Sequence, residues 1–278
     1  MKKVPITEGH YEMFVDLLNK GYTIQEIANE KNYPIYYIVH VLISGKNDYI
    51  FKKLEEYYKG FQIKEDRCLV IADTHIGYKA KCGNNEKSIY NAYNYAVRNN
   101  IKSVLHLGDL LEGKSNKSAD SLEIYEQIEL LTNIYNSINE VKTYLLFGNH
   151  DYNLTCWDYD KVNLIKVISE LKNMELIGVQ YSYLLFGENL ITTAHPCKEL
   201  YYDWNINLNS LFTISGHHHR YNFVDFPYDI WAPALSIEHA YLSNPGFLEL
   251  INDDNKVLFR YLDTFGNEIE KQKILKRK

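Results

Sequence analysis

A chain of 278 residues, 46% hydrophobic and 24% charged, has the apolar content for a globular core and the length for one large domain or one medium and one small. Its formal net charge of -6 argues against a generally basic nucleic-acid surface, while leaving room for a local basic strip. No apolar run reaches transmembrane length, the start MKKVPITEGH lacks the apolar stretch of a signal peptide, and Cys68, Cys82, Cys156 and Cys197 form no CxxC; a cytoplasmic, reducing location is expected.

Residues 1–62 read as a small all-helical domain. Glu8–Asn19 sets Tyr11, Phe14, Val15 and Leu18 at helical spacing, with Gly21 as a stop. Thr23 is an N-cap, and Glu26 three residues later completes a capping box. Gly21–Lys46 then reads helix, turn, helix. Ile24, Ile27 and Ala28 face inward, Asn32-Tyr33-Pro34 opens the second helix, and Ile38, Val39 and Leu42 seat it. This resembles a helix-turn-helix. Its second helix would offer DNA Tyr36, Tyr37, His40 and Lys46, a set thin in the side chains that read base edges. The alternatives are a helical appendage packed on the rest of the chain, or a dimer interface. Asn47–Phe61 reads as one more helix or a linker.

Residues 63–278 form the second domain, in which strands alternate with helical patterns, as in an α/β sheet. Asn85–Val97 places Ile89, Ala92, Tyr93, Ala96 and Val97 on one face. Ala119–Ile138 does so with Leu122, Tyr125, Ile128, Leu131, Tyr135 and Ile138, and Asp160–Leu171 with Val162, Ile165, Ile168 and Leu171. Met174–His195 turns to strands, with a hairpin turn at Gly187-Glu188-Asn189. A second hairpin joins Phe247–Leu250 to Val257–Tyr261. Lys271–Lys278 is expected to fray.

One event happens five times. A short apolar run stops at hard oxygen or imidazole groups: Cys68–Ala72 at Asp73-Thr74-His75, Ser103–Leu107 at Gly108-Asp109, Tyr144–Phe147 at Gly148-Asn149-His150-Asp151, Leu190–Ala194 at His195, and Leu211–Ser215 at Gly216-His217-His218-His219. The candidate ligands are Asp73, His75, Asp109, Asn149, His195, His217 and His219. A thiolate-free Asp/His/Asn set suits divalent Mn, Fe, Zn, Co or Ni, with Mn the first expectation. It is too large for one ion. One carboxylate can bridge two, so the set implies a dinuclear centre with ions roughly 3.5–4 Å apart. In DxH and HxH the outer residues share a direction if the segment is extended, which would turn His218 away. His106, mid-strand, reads as core. Arg220, Lys79 and Lys114 lie beside the ligands and are candidates to meet a phosphate, the alternative for each being a plain surface charge.

These blocks resemble, in order, the signature of the calcineurin-like metallophosphoesterase superfamily: DxH, GDxx(D/E), GNH(D/E), H and GHxH. The resemblance implies a metallophosphoesterase-type β-sandwich flanked by helices. It assigns Asp73, His75 and His219 to one metal, Asn149, His195 and His217 to the other, and Asp109 to the bridge. By the same resemblance His150 is the general acid that protonates the leaving group, and Glu112 is the carboxylate that orients it.

Two departures bear on the substrate. Serine/threonine phosphatases of the superfamily carry arginines where this chain has Gly113 and Phe147, which weakens a protein-phosphatase reading. ADTHIGYK and GDLLE are instead similar to the corresponding blocks of SbcD/Mre11-type DNA nucleases, and the former also to the archaeal polymerase D small subunit. The resemblance implies a phosphodiesterase or nuclease with DNA as partner and no membrane. The alternatives are a phosphoesterase of small or cyclic nucleotides, and a non-enzymatic DNA-binding regulator with a structural metal centre.

Overall fold

The computed structural model describes residues 8–33, 61–79, 85–113, 121–156, 163–196, 210–225, 228–236 and 244–276, with positions 38, 41, 42 and 53. Two helices open the described chain, α1 (Glu8–Asn19) and α2 (Ile24–Lys31). Thr23 caps α2 through the reciprocal box with Glu26 that its sequence predicts, and Asn32 ends it in the left-handed region at φ 52°. The positions Tyr36, Tyr37, His40 and Lys46, and most of the Asn47–Phe61 segment, lie outside the described residues, as does Lys114.

The remaining elements alternate as expected. They are β1 (Gln62–Ile63), β2 (Arg67–Ile71), α3 (Asn85–Arg98), β3 (Ser103–His106), α4 (Ile124–Ser137), β4 (Lys142–Phe147), α5 (Asn149–Cys156) and α6 (Leu164–Glu170). Strands then dominate: β5 (Met174–Val179), β6 (Tyr181–Phe186), β7 (Asn189–Ala194), β8 (Thr213–Ser215), β9 (Asn222–Asp225), β10 (Tyr228–Trp231), β11 (Gly246–Asp253), β12 (Lys256–Asp263) and β13 (Glu268–Leu275). Lys271–Leu275, expected to fray, is instead hydrogen-bonded to β12. The alternating Glu and Lys of β13 suit an exposed sheet edge, where charge discourages pairing with another chain.

The strands form two sheets that meet at a corner of a single residue pair, Val179 with Tyr181. The first runs β13-β12-β11-β2-β3-β4-β5, and the second β6-β7-β8-β10-β9, with β1 beside β6. Within the first, β2 to β5 are parallel, and β11, from far along the chain, lies antiparallel against β2. Alternation along each strand sorts its side chains into two cores. Leu69 and Ile71 of β2 and Leu145 and Phe147 of β4 face α3, α4 and α6. Cys68, Val70, Tyr144 and Leu146 face the second sheet, among its Leu184, Ile191 and Ile214. The arrangement is a β-sandwich flanked by helices. The N-terminal helices cover its other side: Phe14, Leu18, Ile24, Ile27, Ile38 and Leu42 pack with Tyr183 and Leu190 of β6 and β7. The helix-turn-helix expectation is thus tied to a unit whose apolar face is already occupied by the sheet.

Three helical faces differ from expectation by a small rotation. Val97, Tyr125 and Ile165 are exposed. On α4 the buried stripe is Ile124, Gln127, Leu131, Ile134 and Tyr135. Gln127 belongs there because its amide is consumed: Oε1 accepts from Gly113 N–H at 2.9 Å, and Nε2 donates to the Gly113 and Leu122 carbonyls at 3.0 and 2.8 Å. No helix among the described residues is long and apolar enough to cross a membrane.

Candidate metal centre

The five loops that follow β2, β3, β4, β7 and β8 meet at one rim. Backbone hydrogen bonds stitch them together: Asp73 N–H to Gly108 O and His75 N–H to Asp109 O, both 3.0 Å, and Gly216 N–H to Ala194 O, 3.0 Å. The side chains fall into overlapping groups. Asp73, His75, Asp109 and His219 each offer a ligand atom within 4.8 Å of the others, and so do Asp109, His195 and His217. Asp109 is common to both. Asn149 joins the second group through Oδ1, 3.1 Å from His195 Nε2, while Asp109 Oδ2 is 3.2 Å from the same nitrogen. His195 Nδ1–H donates to the Leu107 carbonyl at 2.7 Å. That bond fixes the tautomer and leaves the Nε2 lone pair facing the ligands, as an imidazole needs to bind a metal.

The electrostatics call for positive charge at this rim. Burial pushes the Asp109 carboxyl up, but His195, His150 and His75 outweigh it and hold it well below the usual carboxylate range. Burial pushes His195 down, yet Asp109, Asp73 and the Leu107 carbonyl raise it to about 9. Two buried carboxylates ringed by imidazoles, with tautomers set by backbone carbonyls, fit divalent cations.

Backbone geometry marks the same residues. Asp73, His75, Asp109, His217 and His219 all have positive φ, between 45° and 73°. Such conformations cost a non-glycine residue about 1–3 kcal/mol and persist where the surroundings over-determine them, which happens mainly at functional sites. The expectation of extended DxH and HxH segments is corrected here. The outer residues converge because each turns into the left-handed region. The glycines are there for space: a Cβ on Gly148 would lie 2.2 Å from Asp109 Oδ1, and one on Gly216 2.5 Å from the Leu107 carbonyl oxygen.

The carboxylate of Glu112 stands beside two imidazoles, within 4.8 Å of a ring nitrogen of His75 and of His150, and its charge helps to raise the His150 pKa. Its Oε2 is 2.8 Å from His75 Nδ1, the carboxylate–histidine pairing that orients metal ligands. The partner of His150 Nδ1 is the Glu112 carbonyl oxygen, at 2.5 Å. Since a carbonyl only accepts, Nδ1 carries a proton and Nε2 is the atom turned to the site, 3.9 Å from Asp109 Oδ2. Burial disfavours the imidazolium of His150, but Asp109 and the Glu112 carbonyl outweigh it and raise its pKa.

Three supporting residues were not legible as such. Asp151, fully buried, accepts from Leu110, Leu111 and Gly148 N–H at 3.0–3.1 Å and so ties the loop after β3 to α5. Burial and the charge of Asp109 push its carboxyl up to about 6. The acid ending GNHD was the available signal. His106 accepts from Gly108 N–H at Nδ1, 3.2 Å, so Nε2 donates to Thr74 Oγ1, 3.0 Å, which in turn donates to the Leu110 carbonyl, 3.0 Å. Gln127 is the third. Of the expected phosphate contacts, Lys79 is exposed on the loop after β2, and the Arg220 guanidinium lies 4.7 Å from the Trp231 ring centroid. His218 stacks on the same indole and joins neither ligand group.

A family model described as calcineurin-like phosphoesterase matches residues 67–261. Among solved structures the chain is similar to Vacuolar Protein Sorting 29 from Cryptosporidium parvum, with 19% identity, a TM-score of 0.47, and 76% of this chain and 98% of that one covered. It is also similar to YfcE, a phosphoesterase from E. coli (14%, TM-score 0.47, 75% and 99% covered), and to an archaeal phosphodiesterase (16%, TM-score 0.42, 75% and 99% covered). A search of curated protein sequences gave no significant match.

Proposed function

Because the chain belongs to the calcineurin-like phosphoesterase family, whose dinuclear metal centre the buried cluster fits, we propose that it hydrolyses a phosphodiester, with Mn as the preferred metal and DNA as the substrate. The observation that carries the reading is the sharing of one buried carboxylate, Asp109, by two ligand groups. Asp73, His75, Asp109 and His219 would hold one cation, and Asp109, Asn149, His195 and His217 the other. Two such cations supply Lewis acidity and an activated water for in-line displacement at phosphorus.

The rest is done by the chain's own groups. His150, anchored by Nδ1 on the Glu112 carbonyl, presents Nε2 to the leaving oxygen and gives it a proton. Glu112 holds the His75 ring. A diester is favoured over a monoester because Phe147 is fully buried and Gly113 has no side chain, so neither position offers a cation to a second phosphate charge. The nuclease-like block Ala72–Lys79, with Lys79 exposed, supports DNA. The packing of the N-terminal helices into the sheet favours a second reading, a small or cyclic nucleotide, since it gives those helices a structural task.

The test is a turnover panel with Mn on single-stranded DNA, duplex DNA, cyclic nucleotides, and aryl mono- and diesters. DNA cleavage abolished by Asp109→Asn is the expected result. Turnover of cyclic nucleotides alone moves the substrate to the second reading, and turnover of monoesters alone overturns the diester. His150→Asn should slow cleavage of a natural diester by about 10²–10⁴-fold and an activated aryl ester much less. Equal losses with loss of metal would remove His150 from the acid's role.

A further inference from the structure

The segment Gly216–Arg220 divides its side chains between two tasks. His217 and His219 enter the ligand groups. His218 and Arg220 both go to Trp231: the imidazole stacks on the indole at 3.9 Å with 21° between planes, and the guanidinium lies 4.7 Å from its centroid. Trp231 ends β10 and pairs with Ser215, the last residue of β8. The indole therefore stands where β8 hands over to the ligands. Its Nε1–H donates to Asp229 Oδ2 at 3.0 Å, which fixes the ring.

The other described arginines have tasks elsewhere. Arg67 and Arg260 are bound to Glu249, and Arg98 lies in the last turn of α3, its Nε on the Asn94 carbonyl. The carboxylates of the rim are committed as well: Asp73 to His219 and the His217 N–H, Asp109 to His195, Glu112 to His75, and Asp151 to three backbone N–H groups. Among the described residues none of them forms an ion pair with Arg220. A guanidinium packed over an aromatic ring next in sequence to a candidate metal ligand still offers its planar fork of donors, and less ordering remains to be done when a ligand arrives.

On the phosphodiesterase reading above, we infer that Arg220, pinned by Trp231, anchors a second phosphoryl group of the substrate, one link away from the phosphorus that reacts. A polynucleotide strand and a nucleoside diphosphate share this chemistry. The fork matches phosphate oxygens two at a time, and Arg220 directly follows the candidate ligand His219 in the chain. The same feature would make the enzyme slow on isolated aryl diesters, which have nothing for Arg220 to hold.

Calorimetric titration of Mn-loaded protein decides this without turnover. The probes are a phosphorothioate dinucleotide with a terminal 3′-phosphate, the same dinucleotide without it, and a methylene-bridged nucleoside diphosphate. The wild type should bind at least one two-phosphate probe more tightly than the one-phosphate probe, and which one identifies the source. Arg220→Gln should weaken that probe about 10- to 100-fold and leave the one-phosphate probe unchanged. Arg220→Lys should restore part of the loss, because charge returns without the fork. Metal content is measured for each variant. Equal wild-type affinities for all probes, an equal loss on one- and two-phosphate probes, or a loss of metal from Arg220→Gln would overturn the inference. A wild type that cleaves no diester yet shows the two-phosphate preference would refute the hydrolase reading and keep the subsite.

Discussion

Gly148→Ala tests the geometry of the centre through a residue that binds nothing. A Cβ at this position would lie 2.2 Å from Asp109 Oδ1, 2.4 Å from Asp109 N and 2.9 Å from Asp109 Cγ. Ordinary contacts there exceed 3.4 Å, so something must move by about 1 Å. The backbone N of Asp109 cannot move cheaply, because Gly108 and Asp109 both sit at positive φ and the neighbouring Leu110 and Leu111 N–H groups are held by Asp151. The carboxylate shared by the two ligand groups gives way first, and the 2.4 Å contact with Asp109 N adds strain to the loop that carries it. Overpacking of this kind costs about 1–3 kcal/mol, and at roughly 2–4 °C per kcal/mol for a chain approaching this size the melting temperature should fall measurably without loss of the fold. Metal is the larger effect. A 1 Å misplacement at a reacting centre can cost about 10²-fold, and here it displaces a ligand common to both ions. The expected result is a folded protein, by circular dichroism, that binds less than two equivalents of Mn by elemental analysis and turns over an aryl ester about 10²-fold more slowly. Two full equivalents, an unchanged rate and an unchanged melting temperature would mean that Asp109 does not bridge where it is placed.

Glu249 is fully buried between Arg67, Arg260 and the Tyr95 hydroxyl. Glu249→Ala should cost about 3 kcal/mol in urea unfolding, at the low end for a broken buried pair because both arginines are partly exposed; a change under about 1 kcal/mol would contradict the network. Removing residues 1–60 uncovers Tyr183 and Leu190, each worth about 1.5–3 kcal/mol when buried. The shortened chain should melt lower or aggregate, and an unchanged melting temperature would show that the helices are a separable attachment. Burial pushes His106 down from 6.5 to about 3, so between these values the unfolded chain takes up a proton that the folded one refuses. Stability should therefore fall as pH drops through this window, by up to about 1.4 kcal/mol per unit from this group. His106→Asn should flatten that slope, and an equal slope in both proteins would remove His106 as its source.

The strand ends were legible because two physical demands coincide there. Leu69–Ile71 and Leu145–Phe147 must be apolar to lie between layers, and the next residues must be polar to do chemistry. The capping box at Thr23 was legible because its two partners are three residues apart. What could not be read were relations across the chain. Spacing relates Glu112 to His150 but does not say which group of Glu112 turns to which imidazole. Gln127 sits on a helical stripe where an apolar residue is the ordinary choice, and its reason, the Gly113 backbone, belongs to another element. The left-handed ligands carry no signature either, because Asp and His enter that region more often than most residues and still only occasionally.

The position of β11 has a consequence for how the protein is made. β2 is flanked on one side by β3 and on the other by β11, with Leu248 opposite Val70 and Leu250 opposite Cys68. The loop carrying Asp73 is secured by equally distant residues, since Leu235 N–H donates to the Ala72 carbonyl and Ser236 N–H to that of Asp73. Every candidate ligand has been synthesised once the ribosome passes His219, yet one edge of β2 stays open until the strand beginning at Gly246 emerges. An apolar strand with an open edge is a template for wrong pairing, and contacts this far apart in sequence form slowly. A nascent chain stalled before β11 would hold a complete set of ligands on a sheet whose strand β2, which leads to the first of them, still has one edge unpaired.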